Sequence, residues 1–223
     1  MARRPAQLTL AILARTWGGR RPGAGRKRTS GRRPGVPHRG RPQHVATHPV
    51  HVTLRAVTAI RCLRCDRVFP SVRRALAVSS HADFRIVEFS VQDDHVHLIA
   101  EAEHTRALAS GVRGLAIRLA HAINRALGRR GRVWDDRYHA RALATPREVH
   151  NALAYVLLNF RRHGHTGADI DPCSSAPWFA GWRPPRSADQ SGPRPVAVAH
   201  TWLARIGWQR HGLIVADGRP KRG

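Results

Sequence analysis

Phe84-Arg-Ile-Val-Glu-Phe-Ser-Val91, then Gln92-Asp-Asp94, then His95-Val-His-Leu-Ile-Ala-Glu-Ala102, is the stretch that decides how this chain folds. Two runs rich in β-branched and aromatic residues, separated by one polar tripeptide, read as strands joined in a hairpin. Upstream, from about His48, Val50, Val52, Leu54 and Ala56 alternate with polar residues, a period of two that predicts a first strand. Between it and the hairpin, Val68, Val72, Ala75, Leu76 and Val78 have helical spacing, and His81-Ala-Asp83 ends that helix near Ser79. Downstream, Leu108, Val112, Leu115, Leu119, Ala122, Ile123 and Ala126 recur in steps of three and four, predicting a long helix over Thr105 to Leu127 that Gly128 to Gly131 stops. The later part of Val133 to Leu143 supplies a fourth strand. Thr145-Pro-Arg-Glu148 then opens a helix running to about His163, with Thr at the cap, Pro in the first position and Glu three residues after the cap. The order β-α-β-β-α-β-α predicts a ferredoxin-like α+β fold, an antiparallel βαββαβ sheet with one extra helix.

Charge bounds the partner. Basic residues outnumber acidic ones 39 to 14, the formal charge is +25, and no Asp or Glu precedes Asp66. The cations are nearly all Arg, whose planar fork suits phosphate and base edges, with Lys only at Lys27 and Lys221. That points to nucleic acid; no basic amphipathic helix offers a membrane face. Leu8 to Leu13 is apolar after Arg3 and Arg4 but too short to span a bilayer, so no anchor or export is expected. Three cysteines cannot close a disulfide framework, and the expected location is the cytosol, at the nucleoid. The expected division is a flexible basic arm over 1–46, a catalytic-type domain over 47–164 and a loop-rich extension over 165–223, with tryptophans at 178, 182, 202 and 208. In the arm, Gly19-Arg-Arg-Pro-Gly23 recurs as Gly31-Arg-Arg-Pro-Gly35, and Arg39-Gly-Arg41-Pro42 is like an AT-hook core. The composition favours a non-specific phosphate-binding tail over specific minor-groove reading.

Chemistry-bearing residues cluster in two places. In a strand, His95 and His97 point the same way and can share one metal ion, or form a hydrogen-bonded pair. On the capped helix, Val149, Leu153, Val156, Leu157 and Phe160 make the core face, while Asn151, Tyr155, Asn159 and Arg162 lie on another stripe. Tyr155 and Asn159 are one turn apart and can address one spot; a boundary tyrosine beside a solvated Asn is the bland alternative. Tyr138, near Asp135, Asp136 and His139, is a competing nucleophile. Glu101 shares the strand face of the imidazoles and could steer a metal or face solvent. Arg55 with Arg113, Arg118 and Arg125 could hold a nucleic-acid backbone, as could Arg39 and Arg41, or be solvated charges. Cys62-Leu-Arg-Cys65 has zinc-ligand spacing without a second half to complete a site. Trp178, Phe179 and Trp182 could stack on bases or pack the extension onto the domain.

Four segments together resemble one family. Val50-His-Val-Thr-Leu-Arg55, Asp94-His-Val-His-Leu98, Arg132-Val-Trp-Asp-Asp-Arg-Tyr138 and Ala154-Tyr-Val-Leu-Leu-Asn159, in this order over about His48 to His163, resemble the one-tyrosine HUH transposases, particularly their REP-associated, insertion-sequence-like branch. The resemblance implies single-stranded or hairpin DNA as partner, cleavage through a 5′-phosphotyrosine, Tyr155 as nucleophile, and His95 and His97 as metal ligands. It implies Asn159 as third ligand, where the best-known relatives carry Gln, and either a monomer or a homodimer. Mg²⁺ or Mn²⁺ suits phosphate and amide oxygens. The chain departs from the branch at Asn159-Phe-Arg-Arg-His-Gly164, where relatives often continue Asn-Pro-Val-Arg-Ala-Gly, and in its longer arm and tail.

Rival readings stay in play. A decayed relative would grip hairpin DNA without cutting it. His51-Val-Thr53 matches half of the paired His-x-Thr signature of two-histidine phosphoesterases, but the later motif is His95-Val-His97. RNA-recognition domains share the element order, yet the strands lack paired exposed aromatics.

Overall fold

The structure, a computed structural model, describes residues 41–165, 169–185 and 192–216. The chain divides between Pro34 and Gly35, and the description concerns the second unit. The Gly-Arg-Arg-Pro-Gly repeats and Arg39 lie outside the described residues.

Six elements follow the expected order closely: β1 (Val50–Arg55), α1 (Phe69–Ala77), β2 (Phe84–Val91), β3 (His95–Ala102), α2 (Thr105–Leu127) and β4 (His139–Ala142). They are followed by α3 (Pro146–Leu158). The sheet order is β2-β3-β1-β4 with every neighbouring pair antiparallel, the ferredoxin-like arrangement. Alternation sorts β1 and β3 into two faces. Val50, Val52, Leu54, Val96, Leu98 and Ala100 pack beneath α1 and α2 in one core with Leu115, Leu119 and Ile123. His51, Thr53, His97 and Ile99 therefore face the other side, where α3 lies and Ile99 joins Val149, Leu153, Val156 and Leu157 in a second core.

Two local devices set these layers. The register of β2 against β3 shifts between Ile86 and Glu88, a bulge that leaves Phe84, Ile86, Phe89 and Val91 all in the first core while Val87 joins the second. Gly111 of α2 sits where a Cβ would meet the Phe84 ring at 2.3 Å, so only glycine lets this helix lie close on the strand. The capping box at Thr145 and Glu148 is formed in both directions.

Two expectations change. The last helix does not run on to His163: it gives way after Leu158 to a 3-10 helix, Asn159–His163, closed by left-handed Gly164 at φ 82°. The loop-rich C-terminal segment carries short elements, β5 (Trp182–Arg183), α4 (Trp202–Arg205) and β6 (Ile214–Val215). Its Trp182, Leu203, Trp208 and Ile214 are buried against α3 in the second core, and Trp178 is 7 % exposed, so these indoles pack the segment down. The segment also caps the free edge of β2, with Val91 N–H donating to Cys173 O, Ser175 N–H to Phe89 O and Ala197 N–H to Ile86 O. Glu101 consequently faces neither metal nor solvent. It is wholly buried, and its carboxylate accepts from the backbone N–H of His200 and Thr201 and from the Thr201 hydroxyl at the start of α4.

Candidate active site

The second face of the sheet delivers a cluster of rings. Thr53 on β1 is the register partner of His97 on β3, and His51 lies two residues along the same face. The Nδ1 of His97 sits 3.1 Å from Thr53 Oγ1 and 3.2 Å from His51 Nε2. The His95 and His97 ring centroids are 4.7 Å apart. Tyr155, carried by α3 above this face, packs edge-on with its centroid 5.1 Å from His97 and 5.7 Å from His51. The guanidinium of Arg162 lies 5.6 Å from the centre of the Tyr155 ring. Tyrosine and imidazoles thus meet within one chain.

Hydrogen bonding orients both imidazoles of the HxH pair. His95 Nδ1 lies 2.5 Å from Asp94 Oδ1, and the Asp94 carboxylate is itself paired with Arg55 at 2.7 Å. An Nδ1–H donated to that carboxylate leaves His95 Nε2 with a free lone pair. For His97, Thr53 and His51 engage Nδ1, while Nε2 is buried with no partner. Burial holds all three imidazoles in the neutral form that can ligate. His51 is pushed down to about 4 by burial, with His139 and Arg141 nearby. His97 is held well below the usual histidine range by burial and then by the neighbouring His95, His51 and His163. For His95, burial lowers the value and Asp94 opposes it only in part. Burial would raise Asp94, but its bonds to His95 and Arg55 outweigh that and keep it low.

A buried ring nitrogen with no partner, next to a second imidazole whose other nitrogen is fixed, could serve as part of the donor set of an open metal site. Among the described residues no group of three His, Cys, Asp or Glu side chains could hold a metal ion. Any further ligands to a metal at His95 and His97 would therefore be amide, substrate or water oxygens, which suits Mg²⁺ or Mn²⁺. Asn159 is 1 % exposed at the start of the 3-10 helix, with its Nδ2 buried and unpartnered. It makes no hydrogen bond to the imidazoles or Tyr155 among the described residues, and the ring of His163 from the same turn lies 5.1 Å from His95. Cys62 and Cys65 hydrogen-bond each other and pack on the first core.

The remaining candidates fall elsewhere. Tyr138 packs on the first core under Arg41, whose guanidinium lies 3.5 Å from the ring centre and donates to the Tyr138 carbonyl. Arg113, Arg118 and Arg125 sit on α2, on the opposite side of the sheet from Tyr155, and Arg118 bonds Ser79 Oγ at 2.9 Å. The cations beside the rings are instead Arg141 and Arg162, in a cleft of about 1130 Å³ that also holds His51, Thr53, His97 and Tyr155. Arg162 was legible as a member of the Tyr155 stripe. His51 and Thr53 were legible as a signature of different chemistry, and only strand register makes them neighbours of His97.

Comparison with known proteins bears on the fold and the family. No curated protein matches the sequence. A solved structure described as the "REP associates tyrosine transposase bound to a REP hairpin" shares the fold, with a TM-score of 0.54 and 18 % identity over 70 % of this chain and 92 % of that one. No helix among the described residues is long and apolar enough to cross a membrane. The family model described as "Transposase IS200 like" matches residues 50–157, the span that holds β1, the HxH strand and Tyr155, and this part of the chain belongs to that transposase family.

Proposed function

We propose that this protein cleaves and rejoins single-stranded DNA beside a hairpin, with Tyr155 as nucleophile and His95 and His97 holding one Mg²⁺ or Mn²⁺. The observation that carries the reading is the approach of the Tyr155 ring to 5.1 Å from His97, whose Nε2 is buried and free of partners. DNA as substrate is supported by the charge of +25 and by the hairpin bound to the structural neighbour.

Tyr155 Oη attacks a phosphate held in the cleft, forming a P–O bond while the bond to the 3′-oxygen breaks. The phenol proton leaves to solvent and the departing 3′-oxygen takes one up. A 5′-phosphotyrosine and a free 3′-hydroxyl result, and a second 3′-hydroxyl can reverse the step without an external energy source. The metal, when bound, polarises the phosphate oxygens. Asp94 aims the His95 ring, while Thr53 and His51 hold that of His97. Arg162 offers positive charge next to the phenol. Because Tyr155 meets the imidazoles of its own chain, the reaction proceeds in one protomer without exchange of α3.

The test is a hairpin oligonucleotide with an unpaired flank nicked so that the cut strand diffuses away. A covalent adduct that forms with Mn²⁺, survives denaturation and is absent from Tyr155→Phe supports the enzyme. Tight binding with no adduct in any divalent metal would leave a hairpin-binding protein.

A further inference from the structure

The cleft extends well past the rings. Its volume of about 1130 Å³ exceeds the ~300–1,000 Å³ of pockets that enclose a compact ligand. Its lining includes the phenol and two of the imidazoles. It also includes residues beyond the span matched by the family model: Arg183 of β5 and the run from Gly212 to Val215 that becomes β6.

Strand alternation explains what this wall presents. β5 and β6 pair in parallel, Trp182 with Ile214 and Arg183 with Val215. Trp182 and Ile214 are each 2 % exposed and anchor the pair in the second core. Their neighbours Arg183 and Val215 are more exposed and line the cleft, which Ile214 also borders. Val215 is 44 % exposed and Leu213 38 %, an apolar strip open to the cleft. Arg183 has no hydrogen-bond or ion-pair partner among the described residues. Arg162, which also lines the cleft, lies by the Tyr155 ring and has no carboxylate partner among the described residues.

Unpaired cations beside exposed aliphatic side chains match one chemistry: phosphodiesters whose base faces are bare. A duplex hides those faces in its own stack, whereas an unpaired strand offers both charge and base surface. We propose that Arg183, Leu213 and Val215 form a subsite for the unpaired nucleotides that adjoin the phosphate at Tyr155. The C-terminal segment thereby selects single-stranded DNA for the domain that carries the chemistry, an inference that rests on the strand-cleaving reading for its substrate.

Binding tests it separately from cleavage. With the full-length chain, fluorescence anisotropy compares a hairpin bearing a short unpaired tail with the same hairpin made blunt. Arg183→Ala should raise the Kd of the tailed hairpin about tenfold and lower the salt slope by about one, and should leave the blunt hairpin within about twofold. Arg183→Lys should recover most of the loss, and Val215→Asp should erase the preference for the tail. Equal losses on both probes, or none on either, would overturn the subsite. A wild-type protein that prefers the tailed hairpin yet forms no covalent adduct would sink the strand-cleaving reading and leave the subsite standing.

Discussion

The two faces of the sheet are made by the same strands and treat burial differently. Under α1 and α2, every β1 and β3 side chain in contact is apolar, from Val50 to Leu54 and Val96 to Ala102. Under α3 and the C-terminal segment, the same strands present His51, Thr53 and His97 at one end, Ile99 in the middle and Glu101 at the other end. One face repays its ordering with uniform hydrophobic burial. The other hides imidazoles and carboxylates, which is tolerable only where each is held neutral or hydrogen-bonded. His97 is held neutral, the Glu88 carboxyl is raised to about 7 and hydrogen-bonded by Ser175, Glu101 is saturated by hydrogen bonds, and His97 Nε2 is buried without a partner. Both faces are packed, but only the second combines its apolar core with buried ionisable side chains, so the two can be perturbed separately.

The largest effect should come from the working face. Tyr155→Phe should abolish covalent adduct formation while DNA binding and thermal unfolding stay near wild type; Tyr138→Phe should still form adduct. Any adduct with Tyr155→Phe would transfer the role elsewhere. Next is the packing face, where Leu119→Ala should cost ~2–5 kcal/mol in denaturant unfolding, and a loss of metal affinity at equal folded fraction would break the division of labour. Thr53→Val keeps the shape but removes an oxygen from His97 Nδ1; it should weaken Mn²⁺ binding about ten- to a hundredfold by titration with little change in unfolding. Thr53→Ser should restore it.

Smaller effects sharpen the contrast. Burial lifts the Glu88 carboxyl from its usual 4.5 to about 7, against the opposing hydrogen bond from Ser175 and the charge of Arg194. Between those values the folded chain holds a proton that the unfolded chain has lost, so this contribution to stability is full below about 4.5 and disappears as pH rises through about 7. The stability difference between wild type and Glu88→Gln, followed by denaturation from pH 4 to 8, should carry that slope; a flat difference would mean the carboxyl is not buried as described. Thr145→Ala, which removes one half of the capping box, should cost about 1 kcal/mol.

Local periodicity made most of the elements readable. Strands at Phe84 and His95, the long helix ending at Gly128 and the Thr145 cap are each written in residues a few positions apart, so a short window suffices. The same holds for the shared face of His95 and His97 and for the stripe carrying Tyr155. The bulge at Val87 was not readable, because Phe84, Ile86, Phe89 and Val91 share a face only through pairing with β3. Nor was the turn at Asn159, where the helix tightens just past its packed span.

The sequence by itself determined which residue types could do chemistry here and on which side of each element they stand. The tertiary structure alone decided that Thr53 and His51 attend His97 across 44 and 46 positions of chain, that Glu101 caps α4, and that Arg183 and not Arg113 shares the cleft of Tyr155. Periodicity assigns a face to each side chain. Only the register between strands, and the segments that cover them, assign its neighbours.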